Sequence, residues 1–355
     1  MRDRARANRD GRSATRRAAD CRVLTARARR PPSSRLPQPL RLSYCCFNRA
    51  IYSAVCIGAS PLAPTCKAFA PGRKSPSENQ LPDRSRAVAL VNEEESPGLK
   101  DVFSVEGKVT IVTGGGTGIG ESIAKEFARR GAKVLIASRK AEHLEGVRDA
   151  IRKEGGTCEM TLCDVRVPEQ CDAMVEAAVK HFGRLDVLIN NHGASIAAPS
   201  LELSPNGWRA VIGINLDGVF FCSKAAARQF IKQGGGGSII NISSTAGVHG
   251  SPTMLPYGAA KAGVINLTVS HAGEWGAHGI RVNCIAPGPI DTEGAAPRVW
   301  PNPKVKEMVA RSRALGRFGR VEEIAYPCLF LASEASSYVT GALLIVDGGQ
   351  APRVE

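Results

Sequence analysis

Tyr257 and Lys261 stand four residues apart in a segment that reads as helical from Tyr257 to Ala277, so their side chains share one helix face. A phenol of ordinary pKa, about 10, is a poor base at neutral pH. An ammonium beside it favours the phenolate and brings it into a useful range for proton transfer, the part open to Lys261. Ser243 and Ser244 end a strand-like run that begins at Ser238, so a hydroxyl is offered at a C-terminal strand end, and Ser244 lies 13 residues before Tyr257. Alone, a Tyr and a Lys at this spacing make a surface tyrosine beside a solvated cation. A second motif changes that reading.

Thr113-Gly114-Gly115-Gly116-Thr117-Gly118-Ile119-Gly120 directly follows a strand-like run and precedes a helical pattern from Glu121 to Arg130. Glycines let a backbone turn sharply against a pyrophosphate, and the helix that follows presents free N–H groups and its positive dipole end to the anion. The spacing, Gly114-x-x-x-Gly118-x-Gly120, departs from the G-x-G-x-x-G fingerprint of dinucleotide sites. The next strand ends in Ala137-Ser138-Arg139-Lys140, with cations where an NAD site usually places an acid. Arg139 suits bidentate bonding of a 2′-phosphate and Lys140 adds charge, which favours NADP(H) and leaves NAD(H) as the second choice. Two solvated loop cations are the plainer alternative.

The elements that must position these residues are strands at Lys108–Thr113, Lys133–Ser138, Thr157–Asp164, Asp186–Asn190, Ser238–Ser243, Ile280–Ile285 and Ala342–Val346, alternating with helical stretches. Their runs are apolar on both faces, as strands covered by helices on each side must be. The pattern predicts an α/β fold of three layers with a doubly wound, seven-stranded parallel sheet, and a ligand at the C-terminal strand ends.

Composition separates residues 1–100 from a domain at 101–355. The first 100 residues hold 20 Lys and Arg against 8 Asp and Glu, so they carry 12 of the 14 net positive charges. That excess is scattered over Arg, Pro and Ser, not gathered on a folded face, which argues against nucleic-acid binding. The leader reads as a disordered extension, an upstream stretch, or a transit peptide. A cytoplasmic location is expected, with organellar import through residues 1–100 as its rival. The apolar run Ile51–Ser60 is too short to span a membrane. No paired C-x-x-C spacing occurs among the cysteines after residue 100, and His249 and His271 have no partner at ligand spacing, so no metal is implied.

Taken in order, Thr113 to Gly120, Asp164-Val165, Asn190-Asn191-His192-Gly193, Asn215, Ser244 with Tyr257 and Lys261, Pro287-Gly288 and Asp347-Gly348-Gly349 resemble the classical short-chain dehydrogenase/reductase family. The resemblance runs from about Phe103 to Gly349 and implies a Rossmann fold. It further implies that Tyr257 is the general acid/base, that Lys261 lowers its pKa and binds ribose, that Ser244 orients the substrate oxygen, and that Asn215 supports a proton-relay water. Asn215 read as a residue alone is equally a structural amide inside a helix. Cofactor contacts implied are Gly114, Thr117, Gly118, Ile119 and Gly120 at the pyrophosphate, and Ser138, Arg139 and Lys140 at the ribose. They continue with Asp164 and Val165 at the adenine, and with Asn190 and Gly193 along the cofactor edge. Tyr257, Lys261, Pro287, Gly288, Ile290 and Thr292 complete the set near the nicotinamide. His192 departs from the family's usual alanine and is read as structural.

The activity so implied is interconversion of a ketone or 3-oxoacyl group and a secondary alcohol with NADP(H). Pro289 to Gly294 and Ala137 to Lys140 resemble reductases that act on acyl-CoA thioesters, so 2-enoyl-CoA or 2,4-dienoyl-CoA reduction is the competing reading and a link to lipid metabolism is suggested. Dienoyl reductases of the family generally lack the tyrosine that this chain keeps. A catalytically idle dinucleotide-binding protein is the third reading. The loop Asp291–Pro303 and a helical segment Lys304–Leu315 are expected to close the substrate pocket. A homo-oligomer, tetramer or dimer, is expected through helices around Ala225–Lys232 and Tyr257–Ala277 and the last strand.

Overall fold

Seven short strands pair as one sheet in the computed structural model, which describes residues 101–292 and 302–350. They are β1 (Val109–Thr113), β2 (Lys133–Ser138), β3 (Thr157–Leu162), β4 (Val187–Asn190), β5 (Gly237–Ile242), β6 (Ile280–Pro287) and β7 (Leu343–Val346). Every pairing is parallel, in the order β3-β2-β1-β4-β5-β6-β7. The order reverses between β1 and β4, and a crevice opens there beyond their carboxyl ends. Each residue of β1 and β4 is buried, which is why these runs show no alternation of apolar and charged residues, their polar members being Thr110, Thr113 and Asn190.

Helices cover both faces. They are α1 (Gly118–Arg129), α2 (Ala141–Lys153), α3 (Pro168–Phe182), α4 (Pro205–Ile212), α5 (Gly218–Gln233), α6 (Leu255–Trp275), α7 (Pro303–Arg311) and α8 (Glu322–Ala332). One core layer joins Ile123 and Phe127 of α1, Leu144 of α2 and Ile324 of α8 to Val112, Ile136 and Ile189 of the sheet. The other joins Met174 of α3 and Phe230 of α5 to Ile111, Leu135 and Leu188. The doubly wound, three-layer architecture expected from the alternation is therefore the one observed.

Several ends differ from the sequence reading. β3 stops at Leu162, two residues early, and β6 runs on to Pro287. Helix α1 begins at Gly118, inside the glycine turn, and α6 begins at Leu255 with Pro256 in its first turn, where a missing N–H costs nothing. α7 ends at Arg311, short of the expected Leu315. The leader, residues 1–100, and most of the expected lid loop, 293–301, lie outside the described residues. The run Pro205–Gln233 is long and apolar enough to cross a membrane, but half of its most apolar window is buried inside this domain.

Candidate active site

The glycine turn is shaped for the backbone of a phosphate ligand. Gly114 has φ +66°, in the left-handed region that glycine alone enters freely. A Cβ on Gly120 would lie 2.2 Å from the Gly114 carbonyl oxygen and 2.4 Å from Asn191 Nδ2, so the turn closes only with hydrogen there. The N-cap of α1, Thr117, is extended and its side chain makes no capping bond, which leaves first-turn N–H groups available to an anion. A dinucleotide pyrophosphate fits this cradle.

Asn191 holds the turn in place, a role that the sequence reading did not assign. Its Nδ2 donates to the Thr113 and Gly114 carbonyl oxygens at 3.1 and 3.3 Å, while its backbone N–H donates to Thr113 Oγ1 at 3.1 Å. Its neighbour His192 is buried, with Nδ1 2.7 Å from Thr113 Oγ1. Burial first, and then the charge of Lys261, push its imidazole down to about 3, with only the Ile214 backbone carbonyl pulling the other way. His192 is thus a neutral strut between β1 and β4.

Asn190 serves the sheet more than the cleft. Its Nδ2 donates to Ser223 Oγ and Asn241 Oδ1, both at 2.9 Å, and Asn241 passes the chain on to Thr268 of α6. That commits the Asn190 side chain to a buried network joining β4, β5, α5 and α6.

Ser138, Arg139 and Lys140, expected at the ribose, stand at the end of β2. Ser138 Oγ accepts from the Lys140 N–H at 3.3 Å and bends the chain into α2. Arg139 is exposed and forms no ion pair among the described residues, whereas Lys140 lies a loose 3.7 Å from Glu142. Asp164, after β3, takes a two-pronged bond from Arg166 whose guanidinium holds the carboxyl down to about 2, with a smaller pull from Arg139. Val165 packs under the Gly218 end of α5.

At the opposite end of the crevice, β6 delivers Pro287 and Gly288, and Gly288 packs against Asp347 of the Asp347-Gly348-Gly349 turn. Ile290 pairs with Gly319, and Thr292 lies against Gly118, where a Cβ would meet its methyl at 3.5 Å. Thr292 therefore reaches back over the glycine turn from the far side of the sheet.

Ser243, Ser244, Tyr257 and Lys261 meet where β5 and α6 touch. Ser243 and Ser244 part company here. Ser243 is buried and donates to the Lys261 carbonyl at 2.8 Å, which pins α6 to the sheet. Ser244 is half-buried at the cleft, accepts from the Ala246 N–H at 3.1 Å, and lies near enough to the Tyr257 phenol for its hydroxyl to pull the phenol's pKa down. Lys261 is buried, donates to the Ile242 carbonyl at 2.7 Å, and holds its ammonium 5.7 Å from the Tyr257 ring centre.

The electrostatics differ from the simple expectation. Burial pushes the Tyr257 phenol above its ordinary value, against a smaller opposite pull from Ser244. Lys261 spends its proton on Ile242 and is itself pushed down to about 8 by burial. In the chain by itself Tyr257 is a neutral phenol, an acid ready to give a proton to an oxygen beside Ser244.

Asn215 sits on a π-helical turn, Gly213–Asp217, between α4 and α5. The extra residue in that turn carries the amide inward, where Nδ2 donates to Ala194 O at 2.7 Å and Val211 O at 2.8 Å, and Oδ1 accepts from Ala194 N at 3.3 Å. A Cβ on Gly193 would stand 2.8 Å from Asn215 Oδ1 and 3.6 Å from Lys261 Nζ. Asn215, Gly193 and Lys261 thus form one cluster beneath the cleft.

Comparison with known proteins agrees with this geometry. The family model described as enoyl-(acyl carrier protein) reductase matches residues 114–351. A Bacillus subtilis (strain 168) protein named "probable 2,4-dienoyl-CoA reductase" is 42% identical over 247 residues, 69% of this chain and 97% of its own. The 3-oxoacyl-[acyl-carrier-protein] reductase of Thermotoga maritima is 40% identical over 246 residues, 69% of this chain and 98% of its own. A short-chain type dehydrogenase/reductase from Mycobacterium marinum superposes with a TM-score of 0.67 at 36% identity, covering 71% of this chain and 98% of that one. With a serine, a tyrosine and a lysine meeting at the carboxyl end of a doubly wound sheet, and with matches of this extent, the chain belongs to the short-chain dehydrogenase/reductase family.

Proposed function

We propose that this oxidoreductase interconverts a ketone, or a 3-oxoacyl group, and a secondary alcohol with NADP(H). When bound, the nicotinamide supplies or accepts the hydride. The chain's part is to hold the carbonyl oxygen at Ser244 and to pass a proton to it from Tyr257, with Lys261 steadying the ribose and Asn215 supporting a proton route to solvent. The observation that carries this reading is the convergence of Ser244, Tyr257 and Lys261 where β5 meets α6, with the Lys261 ammonium 5.7 Å from the Tyr257 ring centre and the Ser244 hydroxyl near enough to lower the phenol's pKa. A neutral phenol beside a hydroxyl can give a proton to an oxygen held by both, which is what carbonyl reduction needs.

The exposed Arg139, which forms no ion pair among the described residues, followed by Lys140, supports the preference for the 2′-phosphorylated cofactor. The relatives' names support a second reading, reduction of the C=C bond of an enoyl or dienoyl thioester. Product analysis separates the two: with NADPH, a 3-oxoacyl thioester yields the 3-hydroxy product under the first reading. Turnover of 2-enoyl thioesters alone, to saturated products, overturns it. A homo-oligomer is supported by apolar side chains left exposed on Ile231 of α5, Val269 of α6 and Leu343, Leu344 and Ile345 of β7.

A further inference from the structure

The segment after β4 and the segment before α6 meet at a single bond, from the Ala198 N–H to the Thr253 carbonyl at 2.8 Å. Thr253 makes that bond with φ +63°, and no other non-glycine among the described residues has positive φ. A β-branched residue in that region is strained, and such strain persists only where the surroundings over-determine it. The surroundings here do so. Pro256 and the rest of the first turn of α6 follow directly, and Gly258 is pressed against Ser251, whose buried Oγ has no partner.

Both bridged segments run out from the cluster of Ser244, Tyr257 and Lys261. One arm starts at Gly193, beside Lys261 and Asn215, is held at Ala194 by Asn215, and runs on to Ala198. The other arm starts at Ser244 and ends at Thr253, four residues before Tyr257. Neither arm carries an acid, a lysine or an arginine: residues 193–201 are Gly-Ala-Ser-Ile-Ala-Ala-Pro-Ser-Leu, and 245–255 hold only His249 as a titratable group. Ile196 is 40% exposed and Val248 36%, so these arms offer apolar surface beside the cleft.

We propose that the Thr253–Ala198 bridge is a substrate-positioning clamp. It fixes the two uncharged arms on either side of Tyr257, so that a carbonyl compound with an apolar flank is held with its oxygen at Ser244. The left-handed Thr253 is what turns its carbonyl toward Ala198. The proposal rests on the carbonyl reading only for the choice of substrate.

The test uses the full chain, its Thr253→Pro, Ala198→Pro, Thr253→Gly and Ala198→Ser variants, and an uncharged aliphatic ketone with NADPH. Thr253→Pro forces φ negative and turns the carbonyl away, and Ala198→Pro removes the donor, whereas Thr253→Gly accepts the left-handed turn and Ala198→Ser keeps the donor. In the two proline variants KM for the ketone rises about fivefold, the loss of one hydrogen bond. Their kcat and the NADPH Kd stay within about twofold, and Thr253→Gly and Ala198→Ser match the wild type. Amide hydrogen exchange over residues 194–200 is faster in Thr253→Pro and unchanged in Thr253→Gly. Unchanged KM in both proline variants overturns the clamp, as does a parallel loss of ketone KM, NADPH affinity and Tm, which marks a merely structural contact. If the wild type reduces no ketone, the carbonyl reading fails separately, and exchange over 194–200 still decides: no change in Thr253→Pro overturns the clamp.

Discussion

The Lys261 ammonium lies 2.7 Å from the carbonyl oxygen of Ile242, the last residue of β5, so α6 is tied to the sheet by a buried cation. That tie costs folding energy. Burial lowers Lys261 from an ordinary 10.5 to about 8, so between those values the unfolded chain holds more protons than the folded one. The penalty is therefore present in full below pH 8 and relieved as pH rises toward 10.5. Thermal unfolding followed across this range should show a wild-type gain in stability of about 1.4 kcal/mol per pH unit from this group, absent in Lys261→Met. Parallel curves for the two proteins contradict the assignment.

His192 gives the acid side its own signature. Its folded pKa of about 3 lies below the ordinary 6.5, so it contributes nothing above pH 6.5, where both states are neutral. Stability is lost as pH falls from 6.5 toward 3, because only the unfolded chain can take the proton freely. His192→Ala should flatten that limb of a Tm-against-pH curve, while the neutral-pH Tm drops through loss of the Thr113 bond, worth about 1 kcal/mol.

Gly120→Ala places a methyl 2.2 Å from the Gly114 carbonyl oxygen and forces the glycine turn open. NADPH affinity, read by the nucleotide's fluorescence, should fall by about tenfold or more, as one lost charge-assisted contact at the pyrophosphate would give. An unchanged Kd shows that the turn does not hold the cofactor.

Arg139→Ala tests cofactor choice. NADPH should lose about tenfold or more in Kd, the value of a charged hydrogen bond, while NADH stays within about twofold. Equal losses for both nucleotides place Arg139 away from the 2′-phosphate.

The strands and the order of the site motifs were legible because they depend on local pattern. A strand buried on both faces must be an apolar run, and the glycine turn announces itself by composition beside a strand end. What was hidden depends on tertiary geometry. Nothing local marks Asn191 as the residue that staples Gly114 to Thr113, beyond its place in a recognised motif. The π-helical turn at Asn215 arises because α4 and α5 must continue as one rod while turning an amide toward Ala194, a demand that periodicity does not reveal. The left-handed Thr253 runs against its own β-branched preference and is set by the elements on either side. Spacing likewise showed the lysine beside Tyr257, but not the burial that raises the phenol nor the Ile242 carbonyl that engages Lys261.

The most direct test of the central claim is the turnover of a ketone or 3-oxoacyl thioester with NADPH by the wild type and by Tyr257→Phe, which removes one oxygen from a half-buried ring. The account predicts alcohol formation by the wild type, a loss of about 10²- to 10⁴-fold in kcat for the variant, and an NADPH Kd close to wild type. Undiminished kcat in Tyr257→Phe would contradict it, because the proton would then come from elsewhere.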